Sequence, residues 1–205
     1  MKQTVHKVTC FILRKAEHGA DLLLFRHPYA GIQIPAGTVN PNEDPQAAAI
    51  REAREESGLN RLNLVRWLGD EPEPPRKEHM VIVTPTAVYA RPDPYSFAWA
   101  QFRIGLLVKV LRSADGFTQV SYQESNDVEN PQYVTYNITG WVPDENLTDQ
   151  ITRHFYLFEH NLESPERWLV DTDYHKFKLF WAPLVDLPPI IPPQDLWLKK
   201  LEEFI

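Results

Sequence analysis

The order of apolar and polar residues predicts strands at both ends of the chain. Apolar and β-branched residues dominate 4–14 and 22–28, and the polar letters "HGAD" between them are typical of the turn in an antiparallel hairpin. The segment 32–39 is short and contains Pro35, which a sheet tolerates at an edge or a bend. Further strands are expected at 61–69, 153–160 and 176–185.

A helix is predicted between Asp44 and Gly58. Asp44 is a preferred N-cap residue, Pro45 suits the first helical position, and Gly58 suits the helix end. The residues between them are strong helix formers. A second, amphipathic helix is expected to close the chain, with Gln194 or Asp195 near its start. Its expected apolar surface consists of Leu196, Leu198, Leu201, Phe204 and Ile205.

Residues 72–148 have a different pattern from the rest. They open with the proline-rich letters "EPEPP" and contain apolar, β-branched runs separated by turn signals, without a strong helical period. We interpret them as a β-rich insertion, serving as a lid or a dimerisation element, in a single domain whose discontinuous core is 1–71 and 149–205. The fold class predicted is mixed α/β (α+β). The runs in the insertion are 80–90, 102–112, 118–124 and 132–142.

Composition narrows the classes of function. The net charge of -7 argues against broad binding to a nucleic-acid backbone, so nucleic acid is an unlikely partner. No apolar run approaches the length of a membrane span, and the N-terminus lacks the features of a signal peptide. The single cysteine, Cys10, cannot form an intrachain disulfide. A cytoplasmic location without membrane attachment is therefore the expectation.

Three glutamates fall on one face of the predicted helix. At 100° per residue, Glu52, Glu55 and Glu56 share an arc of about 100°, although like charges at helical spacing repel. Arg51 precedes Glu55 by four residues, which favours an ion pair. The helix alone leaves two interpretations open. The face is either a solvated charged surface or a site for a hard cation such as Mg²⁺ or Mn²⁺.

The spacing of charged residues and glycines across 37–59 carries more information than the helix alone. Gly37 is followed by five residues, Glu43, seven residues and then "REAREESGL" from Arg51 to Leu59. This segment is similar to the Nudix box, G-x5-E-x7-R-E-U-x-E-E-x-G-U with U apolar, at every specified position. The preceding "IPAG", the first strands and the closing strand and helix also resemble the Nudix hydrolase superfamily.

The resemblance implies a fold and a reaction. The fold is an α/β/α sandwich around a mixed sheet, and the reaction is hydrolysis of a pyrophosphate bond in a nucleoside diphosphate linked to another moiety. Arg51 and Glu43 take structural and electrostatic positions, with Glu43 outside the metal ligands. The catalytic residues that the resemblance implies are Glu52, Glu56 and Arg51. The implied ligands of Mg²⁺, or of Mn²⁺ in its place, are Glu52, Glu55, Glu56 and the carbonyl of Gly37.

The proton acceptor and the substrate stay open. Glu52 or Glu56 could accept the proton of the attacking water, and some family members use a later glutamate instead. Arg26 is a candidate substrate contact to a phosphate, with a surface salt bridge as the alternative. Pro74 stands 15 residues after Leu59 and resembles a feature of ADP-ribose enzymes, so ADP-ribose or a sugar nucleotide is the first substrate class. The later glutamates are Glu124, Glu129, Glu145, Glu159 and Glu163.

Three other functions are alternatives to a pyrophosphohydrolase acting on nucleoside diphosphate derivatives. One alternative is a non-catalytic Nudix-fold module that binds a nucleotide or a partner through 72–148. Another is a pyrophosphatase acting on (d)NTP substrates. An RNA-directed decapping enzyme is disfavoured by the acidic composition. Many Nudix proteins pair, so a homodimer is also an expectation.

Overall fold

The computed structural model describes residues 3–17, 19–125, 134–172, 175–202 and 204. Within them, the chain divides into two compact units. One unit contains the residues up to Lys7 together with 71–125 and 134–153, and the other contains 8–70 and the described residues from His154 onward. The prediction of one discontinuous domain with a lid or dimerisation element at 72–148 stays a prediction.

The elements follow one another as strands with two helices among the described residues. The first group is β1 (Val5–Ala16), β2 (Gly19–His27), β3 (Gly31–Gln33), β4 (Ala36–Thr38), α1 (Pro45–Ser57) and β5 (Asn63–Pro72). The second group is β6 (His79–Ile82), β7 (Thr86–Tyr89), β8 (Ala98–Phe102), β9 (Leu107–Ala114), β10 (Phe117–Ser125) and β11 (Val134–Pro143). A 3-10 turn (Asp144–Asn146) and β12 (Leu147–Thr148) come next. The last group is β13 (Ile151–Glu159), β14 (Arg167–Thr172), β15 (His175–Pro183) and α2 (Gln194–Glu202).

The first sheet has eight strands and buries both of its faces. Its order is β14-β15-β2-β1-β13-β5, with β3 paired to β2 and β4 paired to β1. Consecutive β2 residues point to opposite faces: Leu23 packs in the core with α1, and Leu24 packs in the core with α2. Burial on both sides explains the unbroken apolar letters "LLLF". The predicted mixed α/β class is confirmed, with helices on both faces of this sheet.

Helix α1 begins and ends where the sequence predicted. The carboxylate of Asp44 accepts hydrogen bonds from the backbone N–H groups of Gln46 (2.9 Å) and Ala47 (3.3 Å). Gly58 has a φ of 69°, the left-handed conformation that glycine adopts readily at a helix end. The indole N–H of Trp168 donates to the backbone oxygen of Ser57 at 2.7 Å, which satisfies a carbonyl of the last turn.

The sequence interpretation missed strand β14. No strand was predicted between the expected strands at 153–160 and 176–185, yet Arg167–Thr172 pairs antiparallel with β15. The six letters "RWLVDT" alternate in exposure along the strand, which is the period of a half-buried strand. The alternating pattern is short and follows a polar segment, so the polar residues indicated a loop more strongly than the alternation indicated a strand.

Helix α2 packs part of the predicted face, Leu198 and Leu201, in the core and adds Trp197 to it. Leu201 is buried as expected, but its buried neighbour at the helical spacing of four is Trp197. Leu196 is 57% exposed, and Ile205 lies outside the described residues. Trp197 packs edge-on against Phe155 in the core beneath the helix, which explains its place in the buried face.

The second sheet has seven strands in the order β12-β6-β9-β10-β11-β7-β8. Two predicted runs each contain a break. The run 80–90 divides into β6 and β7 on either side of Pro85, because proline has no N–H to donate to a hydrogen-bonded ladder. The run 102–112 joins the end of β8 to β9 through a turn at Gly105, whose φ is 79°. Among the described residues, no helix is long and apolar enough to cross a membrane.

The cap of α1 yields a stability prediction. Replacing Asp44 with Ala removes the acceptor of two backbone N–H groups, and this should lower the free energy of unfolding by about 1 kcal/mol. Asp44→Asn is the matched control, because its amide oxygen still accepts those hydrogen bonds and most of the stability should remain. Urea denaturation followed by circular dichroism measures both variants. Equal losses in the two variants would contradict a capping role.

Candidate functional site

The loop at Gly37 and the helix α1 form the centre of the candidate site. A methyl group on Gly37 would overlap the carboxyl carbon and both oxygens of Glu52. The side chain of Glu52 is 14% exposed, so its carboxylate is held against the backbone of the loop. A larger residue at position 37 would therefore displace the carboxylate of Glu52 from its place against the loop.

Arg51 binds three carboxylates and one carbonyl. Its Nε and Nη2 donate to the two oxygens of Glu43 at 2.8 and 2.9 Å, a bidentate pair. Its Nη1 donates to Glu52 at 2.7 Å and to Glu55 at 3.1 Å. Its Nη2 also donates to the backbone oxygen of Thr38 at 3.2 Å. The planar guanidinium thus joins the loop to the helix, and the expected pair with Glu55 is present.

Glu56 is buried and contacts the same loop one residue before Gly37. It is 7% exposed, and one of its oxygens accepts a hydrogen bond from the backbone N–H of Ala36 at 2.8 Å. Glu52 and Glu56 lie one helical turn apart on α1, with a rise of about 6 Å between them. Two carboxylates on the same side of the helix, those of Glu52 and Glu56, therefore contact the adjacent residues Gly37 and Ala36.

The Arg51 network has a clear electrostatic consequence. The hydrogen bond from Arg51 is the main cause that holds the pKa of Glu43 below its ordinary value, against the opposing effect of burial. The hydrogen bond to Glu43 is likewise the main cause that raises the pKa of Arg51 above its ordinary value. The pair therefore remains charged across the neutral pH range, and Arg51 stays available to Glu52 and Glu55.

The site residues predicted from sequence fall into two places. The box residues Gly37, Glu43, Arg51, Glu52, Glu55 and Glu56 lie around the loop and α1. Arg26 lies apart from them, at the end of β2 in a pocket on the sheet. Of the later glutamates, Glu124 accepts a hydrogen bond from the Tyr122 hydroxyl in the second sheet at 3.0 Å, and Glu129 lies outside the described residues.

The carboxylates fit a hard divalent cation by their donor chemistry. Glu52 and Glu56 are largely buried carboxylates beside the backbone of Ala36 and Gly37, and carboxylate oxygens are ligands that Mg²⁺ prefers. Glu55 is 54% exposed and reaches Arg51. In the described part of the chain, no three acidic, histidine or cysteine side chains are grouped as a metal cluster. The metal assignment therefore stays a prediction.

Two contributions to this site come from the backbone, and no side chain in the sequence indicates them. The N–H of Ala36 positions Glu56, and the carbonyl of Thr38 accepts from Arg51. The only available indication was the glycine after Ala36, since glycine often marks a close approach of backbone and ligand or side chain. That signal locates the loop but not the donor groups.

Comparison with known families matches residues 4–96 to the NUDIX domain. Among solved structures, the chain is similar to the NUDIX domain of Shewanella oneidensis NrtR complexed with ADP ribose, at 9% identity over 99% of this chain and 89% of that one, with a TM-score of 0.49. It is similar to a C. elegans Ap4A hydrolase at 16% identity over 98% and 96%, with a TM-score of 0.44. It is also similar to a MutT protein from Methanosarcina mazei at 16% identity over 98% and 96%, with a TM-score of 0.41. The comparison with curated proteins found no match.

The match to the NUDIX domain at residues 4–96 spans the loop and helix that hold Glu52 and Glu56. This match and the complete Nudix box support a Nudix hydrolase, an enzyme class acting on pyrophosphate bonds.

The Glu43–Arg51 pair predicts how stability changes with pH. Because the folded-state pKa of Glu43 lies below its ordinary 4.5, ionised Glu43 stabilises the fold above pH 4.5, and this contribution is lost as the pH falls below that value. Glu43→Gln should be less stable than the wild type at pH 7, and the difference should shrink below about pH 4.5.

A double-mutant cycle isolates the pair from the other carboxylates. Urea denaturation of the wild type, Glu43→Gln, Arg51→Gln and the double variant gives the coupling free energy at each pH. The coupling should be favourable at pH 7 and should decline toward zero as Glu43 becomes protonated. A coupling that is constant from pH 7 to 3.5 would contradict the assignment.

Proposed function

We propose that this protein is a Nudix hydrolase, a Mg²⁺-dependent pyrophosphohydrolase that cleaves a nucleoside diphosphate linked to another moiety, with Mn²⁺ able to replace Mg²⁺. ADP-ribose or another sugar nucleotide is the first substrate class. The observation that carries the proposal is the packing of Glu52 on the α-carbon of Gly37, next to the backbone bond that holds Glu56.

The residues proposed to hold the ion are Glu52, Glu55, Glu56 and the carbonyl of Gly37. A bound divalent ion supplies charge stabilisation to phosphoryl oxygens and lowers the pKa of a coordinated water. Glu52 and Glu56 support this role because burial of two carboxylates is costly without compensating charge or hydrogen bonds. Arg51 compensates Glu52 in part, through the contact at 2.7 Å.

The proposed reaction is the attack of one water on one phosphorus of the pyrophosphate. The water oxygen forms a new P–O bond, the bridging P–O bond breaks, and the released bridging oxygen remains on the leaving phosphate. A carboxylate, Glu52 or Glu56, accepts the proton of the water. Arg51 holds Glu52 and Glu55 at the loop, and Glu43 holds Arg51.

A substrate panel tests the proposal directly. Purified protein is incubated with ADP-ribose, nucleotide sugars, dinucleoside polyphosphates and (d)NTPs, each with Mg²⁺, Mn²⁺ or EDTA, and the release of phosphate or nucleoside monophosphate is recorded. Turnover that requires the metal and prefers a nucleoside diphosphate derivative supports the proposal. Preference for (d)NTPs would assign the alternative substrate class. Binding without turnover of any member would favour the non-catalytic module.

Glu56→Gln should lower kcat by at least about 100-fold, because the amide can neither accept the proton nor bring a negative charge to the ion. The amide oxygen can still accept the hydrogen bond from Ala36, so the melting temperature should change little. Glu202→Gln, an exposed change at the end of α2, is the matched control and should retain full activity. Wild-type turnover in Glu56→Gln would refute the proposed role.

Gly37→Ala tests the packing of Glu52 separately from its charge. The added methyl group must displace the Glu52 carboxylate, so metal affinity and turnover should both fall by about tenfold or more. Ala36→Gly is the matched control, because it changes the neighbouring residue without adding an atom and retains the N–H that binds Glu56. Titration with Mn²⁺, followed by its paramagnetic resonance signal, measures affinity. Unchanged affinity in Gly37→Ala would show that Glu52 is not a ligand.

A further inference from the structure

The first sheet carries a pocket of about 450 Å³ beside the end of β2, the start of β14 and the middle of β15. Its walls combine cationic and apolar side chains from neighbouring strands. Leu169 is 59% exposed at this wall, which leaves apolar surface open to a ligand. The cations at the pocket are Arg26, Arg167 and Lys178, and the apolar side chains include Ile32, Leu169 and Phe180.

Strand register places these side chains in two adjacent rows. Leu169, Lys178 and Arg26 are consecutive partners across β14, β15 and β2. Arg167 and Phe180 are partners in the neighbouring row, two residues along each strand. Residues two apart on a strand share a face. The cations and Phe180 therefore lie on the same face of the sheet.

The arrangement concentrates positive charge without an acidic partner. Side chains directly opposite on paired strands have Cβ atoms about 5 Å apart, so Lys178 and Arg26 repel each other. The pocket lining contains no aspartate or glutamate, and in the part of the chain that the structure describes none of the three cations forms an ion pair. This cationic pocket stands out in a chain whose net charge is -7.

The pocket lies on the face of the sheet opposite to α1. Arg26 follows the same alternation as Leu22 and Leu24, which pack in the core with α2, whereas Leu23 and Phe25 pack in the core with α1. The pocket is therefore separate from the Glu52 and Glu56 carboxylates. Ile32, which is paired with Arg26, precedes Gly37 by only five residues, an extended span of at most about 18 Å.

We propose that this pocket binds a phosphorylated ligand of the nucleotide class. Arg26 and Lys178, with Arg167 beside them, contact the phosphate, since paired cations bind phosphate oxygens through charge-assisted hydrogen bonds. The ring of Phe180 and the side chain of Leu169 pack against the base or sugar. The short span to Gly37 allows the ligand to be the far end of a substrate that carries a phosphate beyond the cleaved bond, such as a dinucleoside polyphosphate, an assignment that rests on the proposed function. A separately bound nucleotide has the same chemistry.

Binding in the absence of divalent ions tests the pocket independently of catalysis. Isothermal titration with AMP, ADP, ribose 5-phosphate and adenosine is performed in EDTA on the full chain. AMP and ADP should bind saturably, and both ribose 5-phosphate and adenosine should bind about tenfold more weakly or worse. Arg26→Gln and Lys178→Gln should each weaken AMP binding by about tenfold.

The matched control is Lys176→Gln, which removes the same charge from the same strand. Lys176 is paired with Asp171 at 3.6 Å and is not part of the pocket lining. Its AMP affinity should remain within about twofold of the wild type. Absence of saturable AMP and ADP binding, or equal affinity in Arg26→Gln, Lys178→Gln and the wild type, would overturn the proposal.

Turnover with a substrate from the panel distinguishes the two sources of the ligand. If the pocket holds the substrate, Lys178→Gln raises KM with little change in kcat, because binding is lost while the reacting groups are intact. If the pocket holds a separate nucleotide, Lys178→Gln loses AMP affinity with KM unchanged. Both results support the pocket. If no substrate in the panel is turned over, the proposed function fails, but the binding experiment in EDTA still tests the pocket.

Discussion

The contact between the guanidinium of Arg51 and three carboxylates holds the box together. A single planar cation reaches Glu43 with two bonds and still has donors for Glu52 and Glu55. Without it, the acidic face of α1 would carry uncompensated repulsion beside a loop that has no side chain at Gly37. A lysine could not replace this cation, because its compact ammonium group lacks the flat fork that spans several acceptors.

Local sequence rules predicted the ends of α1 but not all of its surroundings. Asp44 and Gly58 have the cap chemistry that ends a helix, so both ends were found at the observed residues. Strand β14 was missed because its six alternating residues follow a polar segment. The buried face of α2 was predicted only in part, because the leucine pattern contains no information about Phe155, a distant residue that packs against Trp197.

For the candidate site, the sequence identified which residue types meet and left their contacts to the fold. The spacing from Gly37 to Glu56 indicated the chemistry, and the space taken by Glu52 gives a physical reason for the glycine. The cationic pocket depends on strand register instead. Lys178 and Arg26 are far apart in sequence and become neighbours only because β15 pairs with β2. No local pattern contains that information.

The two caps of α1 also determine the direction in which its carboxylates point. If both ends of a helix shifted by one residue along the sequence, each side chain would turn by about 100° around the helix axis and move by about 1.5 Å along it. With Asp44 and Gly58 setting the two ends, the angular phase of the helix is determined, and Glu52 faces the α-carbon of Gly37. The caps therefore help to set the rotation of the helix about its axis. The direction in which the acidic face points thus depends on Asp44 and Gly58, which are not part of that face.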